Sequence, residues 1–440
     1  MNELLKPNQT VQSTSGTLYE IIHPLGSGGQ GEVYRVKAGG LEYALKWYFQ
    51  ESATPAQRAT IEALVKAGRP AGNFLWPEDL ATSGHAPGFG YVMGLRPPEY
   101  KSLNDYVAGK VRPTALALIT VGIELAKALR ALHTKGFCYR DISFGNAFFH
   151  PDTGAVLICD NDNVAPNRSS AGGVLGTPDF MAPEVVRMEA NPSRDTDYHS
   201  LAVLLFYIFF MGHPLVGKRI LNIRCWDGPA REKMFGKEPL FIFDPNNNDN
   251  EAVPGDPEAG GNALLYWSIY PQNVKNTFTK AFTAGLRPDG RVTELEWLEV
   301  LVALRDSRYL CACGTPNYYD IEFVKGSGGK PKPCWHCKKE PKLPFRVRIE
   351  KSIVMLNADT RLHAHHFGAS IADLDFSKPL AVVTRHPTDP NVWGLKNLTS
   401  EKWTLTTAAG ETKDVEPGRS APLASGTRIN FGKTEGEIRY

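Results

Sequence analysis

The chain has 440 residues, 42% of them hydrophobic and 22% charged, and a net charge of +2. That length implies more than one domain, and that composition suits folded cores rather than disorder. The near balance of charge gives no global field to draw the chain onto nucleic acid or a lipid surface.

Residues 1–17 are polar, lack the apolar stretch of a secretory leader, and are expected as a tail. The most apolar run, Leu201 to Met211, is too short to cross a bilayer. There are seven cysteines. Cys138, Cys159 and Cys225 stand singly in apolar settings and read as buried thiols, while the other four cluster. These features lead to an expectation of a soluble cytoplasmic protein.

From residue 18 the chain reads as a β-rich lobe. Gly26, Gly28 and Gly31 form Gly-x-Gly-x-x-Gly between two strand-like runs. Glycines let a hairpin lie close over phosphates and offer them backbone N–H groups. The motif alone also fits dinucleotide folds and plain hairpins. A dinucleotide site needs a helix straight after the glycines, whereas Glu32 to Lys37 alternates as a strand does. Leu41 to Tyr48 reads as the next strand and carries Lys46 two residues after Ala44. Lys46 is either an exposed strand lysine or the group that pairs phosphates and is oriented by a helix glutamate. A helix is expected from about Thr54, with Thr54 as cap and Pro55 in its first turn. Ile61, Leu64 and Val65 mark its buried stripe, and Glu62 is the candidate partner for Lys46. Gly90 to Met93 reads as a further strand, stopped by Gly94-Leu95-Arg96-Pro97-Pro98. The backbone of Gly94 and Arg96 is free there to bond a base edge, with Met93 behind it.

Thr114 to His133 has the periodicity of a long amphipathic helix, ended by Gly136. It leads into Tyr139-Arg140-Asp141, Asn146 five residues after Asp141, and Asp160 at the end of an apolar strand. That spacing suits a site where one carboxylate orients a hydroxyl while the other two groups hold a phosphate-bound metal. Farther on come Gly176-Thr177-Pro178 through Ala182-Pro183-Glu184, Asp197 at the head of an apolar helix, and Arg291 before Glu296-Trp297. Phe241 to Asn262 is rich in Asp, Asn, Pro and Gly and reads as an exposed, solvated loop.

Together these motifs, in this order, resemble a eukaryotic-type (Hanks-type) bacterial serine/threonine protein kinase domain over roughly Leu18 to Arg305. The resemblance implies an α+β, bilobal fold with an N-lobe at 18–96 and a helical C-lobe at 97–307. It implies ATP as phosphate donor and Mg2+ held by Asn146 and Asp160. Asp141 would be the catalytic base, with Lys46 and Glu62 as an ion pair. ATP would lie against Gly26, Ser27, Gly28, Gly31, Val33, Ala44, Lys46, Met93, Gly94 and Arg96. Thr177 would bond Asp141, Glu184 would pair with Arg291, and Ser169 and Ser170 would be either autophosphorylation sites served by Arg140 or a plain polar loop. Three departures are visible. Tyr139 stands for the family's histidine, Ser143 for the lysine that contacts the transferred phosphate, and Asp160-Asn161-Asp162 for Asp-Phe-Gly. Asp162 is either an added ligand or a solvated acid. A low-turnover ATP-binding scaffold is the competing reading.

Cys311 and Cys313, then Cys334 and Cys337, form two close pairs at 308–342. In a reducing compartment four thiolates suit a structural Zn2+ in a small ribbon, and a redox pair of Cys334 with Cys337 is the alternative. Residues 343–440 alternate short strands with turns, as an all-β sandwich does. Gly394 to Gly432 resembles the second half of a forkhead-associated domain, which implies partner docking and a phosphopeptide-reading role. The cluster Arg361, His363, His365 and His366 is open between an anion site, a metal site and a polar turn. The order kinase, cysteine module, sandwich resembles kinases of tellurite-resistance systems. That resemblance implies a protein substrate, a von Willebrand A-type partner and a metal-dependent phosphatase; from charge and hydropathy no membrane partner is expected and nucleic acid is not a favoured one.

Overall fold

The structure, a computed structural model, describes residues 4–168, 175–389 and 391–440. They form two compact units, Met1–Gly261 with Lys280–Glu294, and Asn262–Thr279 with Leu295–Tyr440.

The first unit begins with six strands: β1 (Thr10–Ser13), β2 (Leu18–Ser27), β3 (Gly31–Ala38), β4 (Leu41–Tyr48), β5 (Asp79–Thr82) and β6 (Gly90–Gly94). They close into a barrel in the order β1-β2-β3-β4-β6-β5, with β5 returning to β1. Alternating residues, among them Ile21, Tyr34, Val36, Leu45, Trp47 and Val92, point into one core. The first residues were expected as a tail, yet β1 closes the barrel and both Leu5 and Val11 are buried. Four residues of alternation are too few to announce a strand against a polar background.

Helix α1 (Pro55–Ala67) starts at Thr54, whose side chain accepts from Gln57 N–H, and buries Ile61 and Leu64. Below the barrel come β7 (Lys101–Ser102), α2 (Leu103–Val107) and α3 (Ala115–Thr134). Thr114 caps α3, and Gly136 at φ +83 turns the chain into β8 (Phe137–Cys138). Then β9 (Ala147–Phe149) pairs with β10 (Val156–Ile158), and β11 (Ala165–Pro166) pairs with β8. Helices α4 (Pro183–Val186) and α5 (Arg194–Phe210) follow. A capping box of Ser193 and Thr196 opens α5, which is buried along most of its length and contains most of the expected apolar run. No described helix is long and apolar enough to cross a membrane.

Two further expectations fail in this unit. The segment after Phe241 is anchored, not simply solvated: Phe241, Asn250 and Ala259 are fully buried. The Asn250 side chain accepts from Gly217 and Arg219 N–H and donates to the carbonyls of Leu215 and Leu240, so a buried polar side chain anchors the segment beside its apolar contacts. Of the three isolated cysteines only Cys138 is buried, while Cys159 is half-buried and Cys225 exposed.

In the second unit, Tyr270 stacks on Tyr318 at 5.4 Å and Gln272 N–H donates to Asp320 Oδ2 at 3.1 Å. These contacts place residues 262–279 with the C-terminal part, although the sequence assigned them to the second lobe. A hairpin of Arg308–Leu310 and Pro316–Tyr318 carries the first cysteine pair. Beyond it lie a six-stranded and a four-stranded antiparallel sheet. Val347, Ile429 and Trp403 from one and Leu395, Val383 and Ala421 from the other share a core. In the histidine cluster His366 Nδ1 accepts from His363 N–H at 2.9 Å and its Nε2 lies 3.2 Å from Asp306 Oδ2, and Asp306, His365 and His366 lie close enough together to hold a metal ion.

Candidate active site

The Tyr139-Arg140-Asp141 stretch is set by backbone geometry before side chains enter. Arg140 has φ +75, an unfavourable conformation for a side-chain-bearing residue. Asp197, buried near the head of α5, holds it by accepting Tyr139 N–H at 2.6 Å and Arg140 N–H at 2.9 Å. His133 on α3 lies 2.9 Å from the same carboxylate through Nε2 and bonds Glu294 through Nδ1. Burial pulls this imidazole down. The carboxylates of Asp197 and Glu294 outweigh burial and raise it to about 8. The Tyr139 hydroxyl donates to the Cys159 carbonyl, which links this stretch to the strand that ends at Asp160.

Asp141 follows immediately. Its Oδ1 accepts from Thr177 Oγ1 at 2.7 Å and its Oδ2 from Asn146 Nδ2 at 3.1 Å. Asn146 also donates to the Asp141 carbonyl at 2.8 Å. Asn146 and Asp160 leave the same end of the β9–β10 ladder, whose last pair is Ala147 with Ile158, and Cys159 N–H donates to the Asn146 carbonyl. The donor set there is a carboxylate and an amide oxygen, hard ligands of the kind Mg2+ takes, and the Asp160 side chain is 46% exposed. The fit is good: Asn146 and Asp160 would hold Mg2+.

Lys46 reaches the same place from β4. Its Nζ donates to Asp160 Oδ1 at 3.4 Å and Asp162 Oδ2 at 2.8 Å. Gln30, in the glycine-rich loop, accepts from Lys46 at 3.3 Å. Burial alone would lower the Lys46 pKa, but Asp162 first and then Asp160 reverse this and leave it raised. Glu62 is not the partner: it is exposed and bonded to Arg58 at 3.0 Å. The phase of α1 explains the correction. Gln57, Ile61 and Leu64 share one stripe at i, i+4 and i+7, and Glu62 lies off it. Asp162 is also not a solvated acid, since its side chain is 0% exposed. The sequence reading did not single out Gln30, Tyr48 and Gln57, and it did not expect Asp162 as the partner of Lys46; helical phase was the available signal for Gln57.

Among the residues expected to face a nucleotide, β3 and β4 align Val33 with Lys46, and β4 and β6 align Ala44 with Met93. Ala44 and Met93 are buried, Val33 and Gly94 half-buried, and Ser27 and Arg96 exposed. The Arg96 guanidinium lies 4.2 Å over the Phe148 ring. The glycines are not equivalent. A Cβ at Gly31 would stand 2.2 Å from the Trp47 carbonyl, so strand pairing requires that glycine, whereas Gly26 and Gly28 face open space.

Asn161 takes the phenylalanine position by hydrogen bonding. It is fully buried, and its Nδ2 donates to the carbonyls of Leu75 at 2.8 Å and Ile158 at 3.1 Å. Arg291 Nη2 meets both Glu184 oxygens at 2.7 Å. Ser169 and Ser170 lie outside the described residues.

In the second unit, the sulfurs of Cys311, Cys313, Cys334 and Cys337 all lie within 4.8 Å of one another. Cys311 is 3.7 Å from Cys337, and Cys313 is 3.8 Å from Cys334. A tetrahedron with Zn–S bonds of about 2.3 Å has edges of roughly 3.8 Å, so this donor set fits zinc.

Residues 79–234 match the protein kinase domain family. The chain is 29% identical over 281 residues to the DNA damage-responsive serine/threonine-protein kinase RqkA of Deinococcus radiodurans, covering 58% of this chain and 37% of that one. It is 29% identical over 206 residues to the serine/threonine-protein kinase pkn2 of Myxococcus xanthus, covering 43% and 24%. To the protein kinase YegI of Escherichia coli it is 22% identical over 339 residues, covering 73% and 50%. The matches therefore span between 24% and 50% of these three relatives' own lengths. The matched residues 79–234 lie within the first unit and mix helix and sheet.

Proposed function

We propose that the chain is an ATP- and magnesium-dependent protein kinase that transfers the γ-phosphate to serine or threonine hydroxyls of a partner protein or of itself. The observation that carries this reading is the placement of Asp141. One of its oxygens bonds Thr177 and the other Asn146, which in turn sits beside Asp160 and its partner Lys46. Asp141 would receive the substrate hydroxyl, Lys46 would neutralise phosphate charge, and Asn146 with Asp160 would hold the metal. Magnesium, when bound, neutralises and bridges the phosphates. The remaining work of the protein is positioning and fixed charge.

Radiolabel transfer from ATP to a generic acceptor and to the chain itself tests this, with Asp141→Ala and Lys46→Ala beside the wild type. Incorporation is expected in the wild type alone. Equal incorporation in all three would remove the reading. A wild type that binds ATP without transfer would instead support the scaffold alternative, which Ser143 favours because no lysine stands there.

The four cysteines support a structural zinc in the second unit. The two-sheet part that follows is proposed as a forkhead-associated-like docking domain, with a von Willebrand A-type protein and a metal-dependent phosphatase as partners in the cytoplasm. Support for the partners is the order of the modules. Binding of residues 343–440, within the full chain, to phosphothreonine peptides is the measurement that bears on docking.

A further inference from the structure

The lysine that faces the phosphates needs a carboxylate to hold it, and here helix α1 does not provide one. The only acid in α1 is Glu62, and it bonds Arg58 at the surface. The carboxylate on Lys46 belongs to Asp162, two residues beyond the metal-side Asp160 in a single 3-10 turn. Asp162 Oδ2 accepts from Lys46 at 2.8 Å and from the Tyr48 hydroxyl at 2.7 Å. Its Oδ1 is buried with no hydrogen-bond partner. A buried carboxylate with one oxygen unsatisfied is destabilising unless a cation stands against it, so Lys46 and Asp162 stabilise one another. Helix α1 touches this pair through a neutral side chain. Gln57 Nε2 donates to the Tyr48 hydroxyl at 3.1 Å and to the Asp162 carbonyl at 3.2 Å.

We propose that Asp162 is the positioning residue for Lys46, so that the start of the activation segment carries both the metal-side carboxylate and the carboxylate that holds the lysine. This rests on the kinase reading of the first unit. In this arrangement, displacing α1 alone leaves Lys46 with its ionic partner. Rearranging residues 160–162 removes the metal ligand and the lysine's partner together. Control of activity then acts on that turn, and α1 serves it through Gln57.

The experiment uses the full chain and four proteins: wild type, Asp162→Asn, Glu62→Gln, and the double variant Asp162→Asn/Gln57→Glu, which returns a carboxylate from α1. Affinity for a fluorescent ATP analogue with magnesium is measured without turnover, and KM for ATP and kcat are measured separately. Asp162→Asn is expected to weaken nucleotide binding at least about tenfold, the scale of removing one partner of a buried charge pair. Glu62→Gln is expected to match the wild type. The double variant is expected to recover part of the lost affinity, which a packing role for Asp162 would not allow. Wild-type affinity in Asp162→Asn, or a loss in Glu62→Gln, overturns the proposal. If Asp162→Asn does not fold, Glu62→Gln decides: retained affinity supports the proposal and lost affinity defeats it. A wild type that binds the analogue but transfers nothing defeats the kinase reading alone, since the binding comparison still reports on the lysine's partner. A wild type that does not bind the analogue defeats both.

Discussion

Thr177 Oγ1 donates to Asp141 Oδ1 at 2.7 Å. This bond ties the segment before Pro178 to the group that would orient the attacking hydroxyl. Thr177→Val removes the donor at nearly constant volume. Hydrogen bonds to charged groups contribute about 1.5–3 kcal/mol, so kcat is expected to fall roughly ten- to hundredfold with little change in KM for ATP. Thr177→Ser should restore most of it. Steady-state kinetics on the three proteins checks this, and an unchanged kcat in Thr177→Val would refute it.

His133 makes the first unit's stability depend on pH. Its imidazole is buried, and Asp197 and Glu294 outweigh that burial to raise it to about 8 from the ordinary 6.5. The folded state thus holds the proton more tightly than the unfolded chain. The contribution is full below pH 6.5 and is lost as the pH rises through about 8. One and a half pKa shifts of 1.36 kcal/mol set its size at about 2 kcal/mol. Denaturant unfolding at pH 6 and pH 9 should show this drop, and His133→Gln should flatten it. A wild-type curve no steeper than that of His133→Gln would count against the assignment.

Arg291 and Glu184 form a buried pair, with side chains 2% and 11% exposed. Arg291 Nη1 also donates to the Asp195 carbonyl at 2.7 Å. Breaking such a pair from one side typically costs about 3–5 kcal/mol. Arg291→Ala should therefore lower the unfolding midpoint sharply. Arg291→Lys should recover little, because an ammonium lacks the guanidinium fork. A midpoint within error of wild type in Arg291→Ala would contradict this.

The cysteine cluster predicts one zinc per chain by elemental analysis. Replacing any one of Cys311, Cys313, Cys334 or Cys337 with serine should lower the metal content and the stability of the second unit. His336→Ala should leave both unchanged, since His336 is outside the group of four sulfurs. Prolonged treatment with a strong chelator should have the effect of the serine variants, because structural zinc contributes folding free energy. Absence of zinc in protein purified without chelator would defeat this expectation.

The residues whose chemistry depends on local spacing were legible in the sequence. Asp141 and Asn146 lie five apart across one turn, and Thr54 with Pro55 announced the start of α1. What spacing does not encode is which side chain reaches across the fold. Lys46 and Asp162 are 116 positions apart, and only the approach of β4 to the turn after β10 decides that they meet. β1 was hidden for a related reason, since its four residues become a strand only because β2 and β5 offer it two edges. The burial of Asn250 was equally unreadable, because an asparagine in a run of Asn and Asp signals a turn until its backbone partners are known.

The side chain of Asn161 holds the carbonyls of Leu75 and Ile158 in a dry setting where an aromatic ring would offer them nothing. Any small molecule that selects a swung-out form of this turn would therefore leave the Leu75 carbonyl without that donor, while the Ile158 carbonyl keeps the Leu75 N–H. Filling the vacated space with hydrocarbon alone would not compensate. A ligand that brings an N–H donor to the Leu75 carbonyl, as a primary amide does, is the chemotype that would compensate.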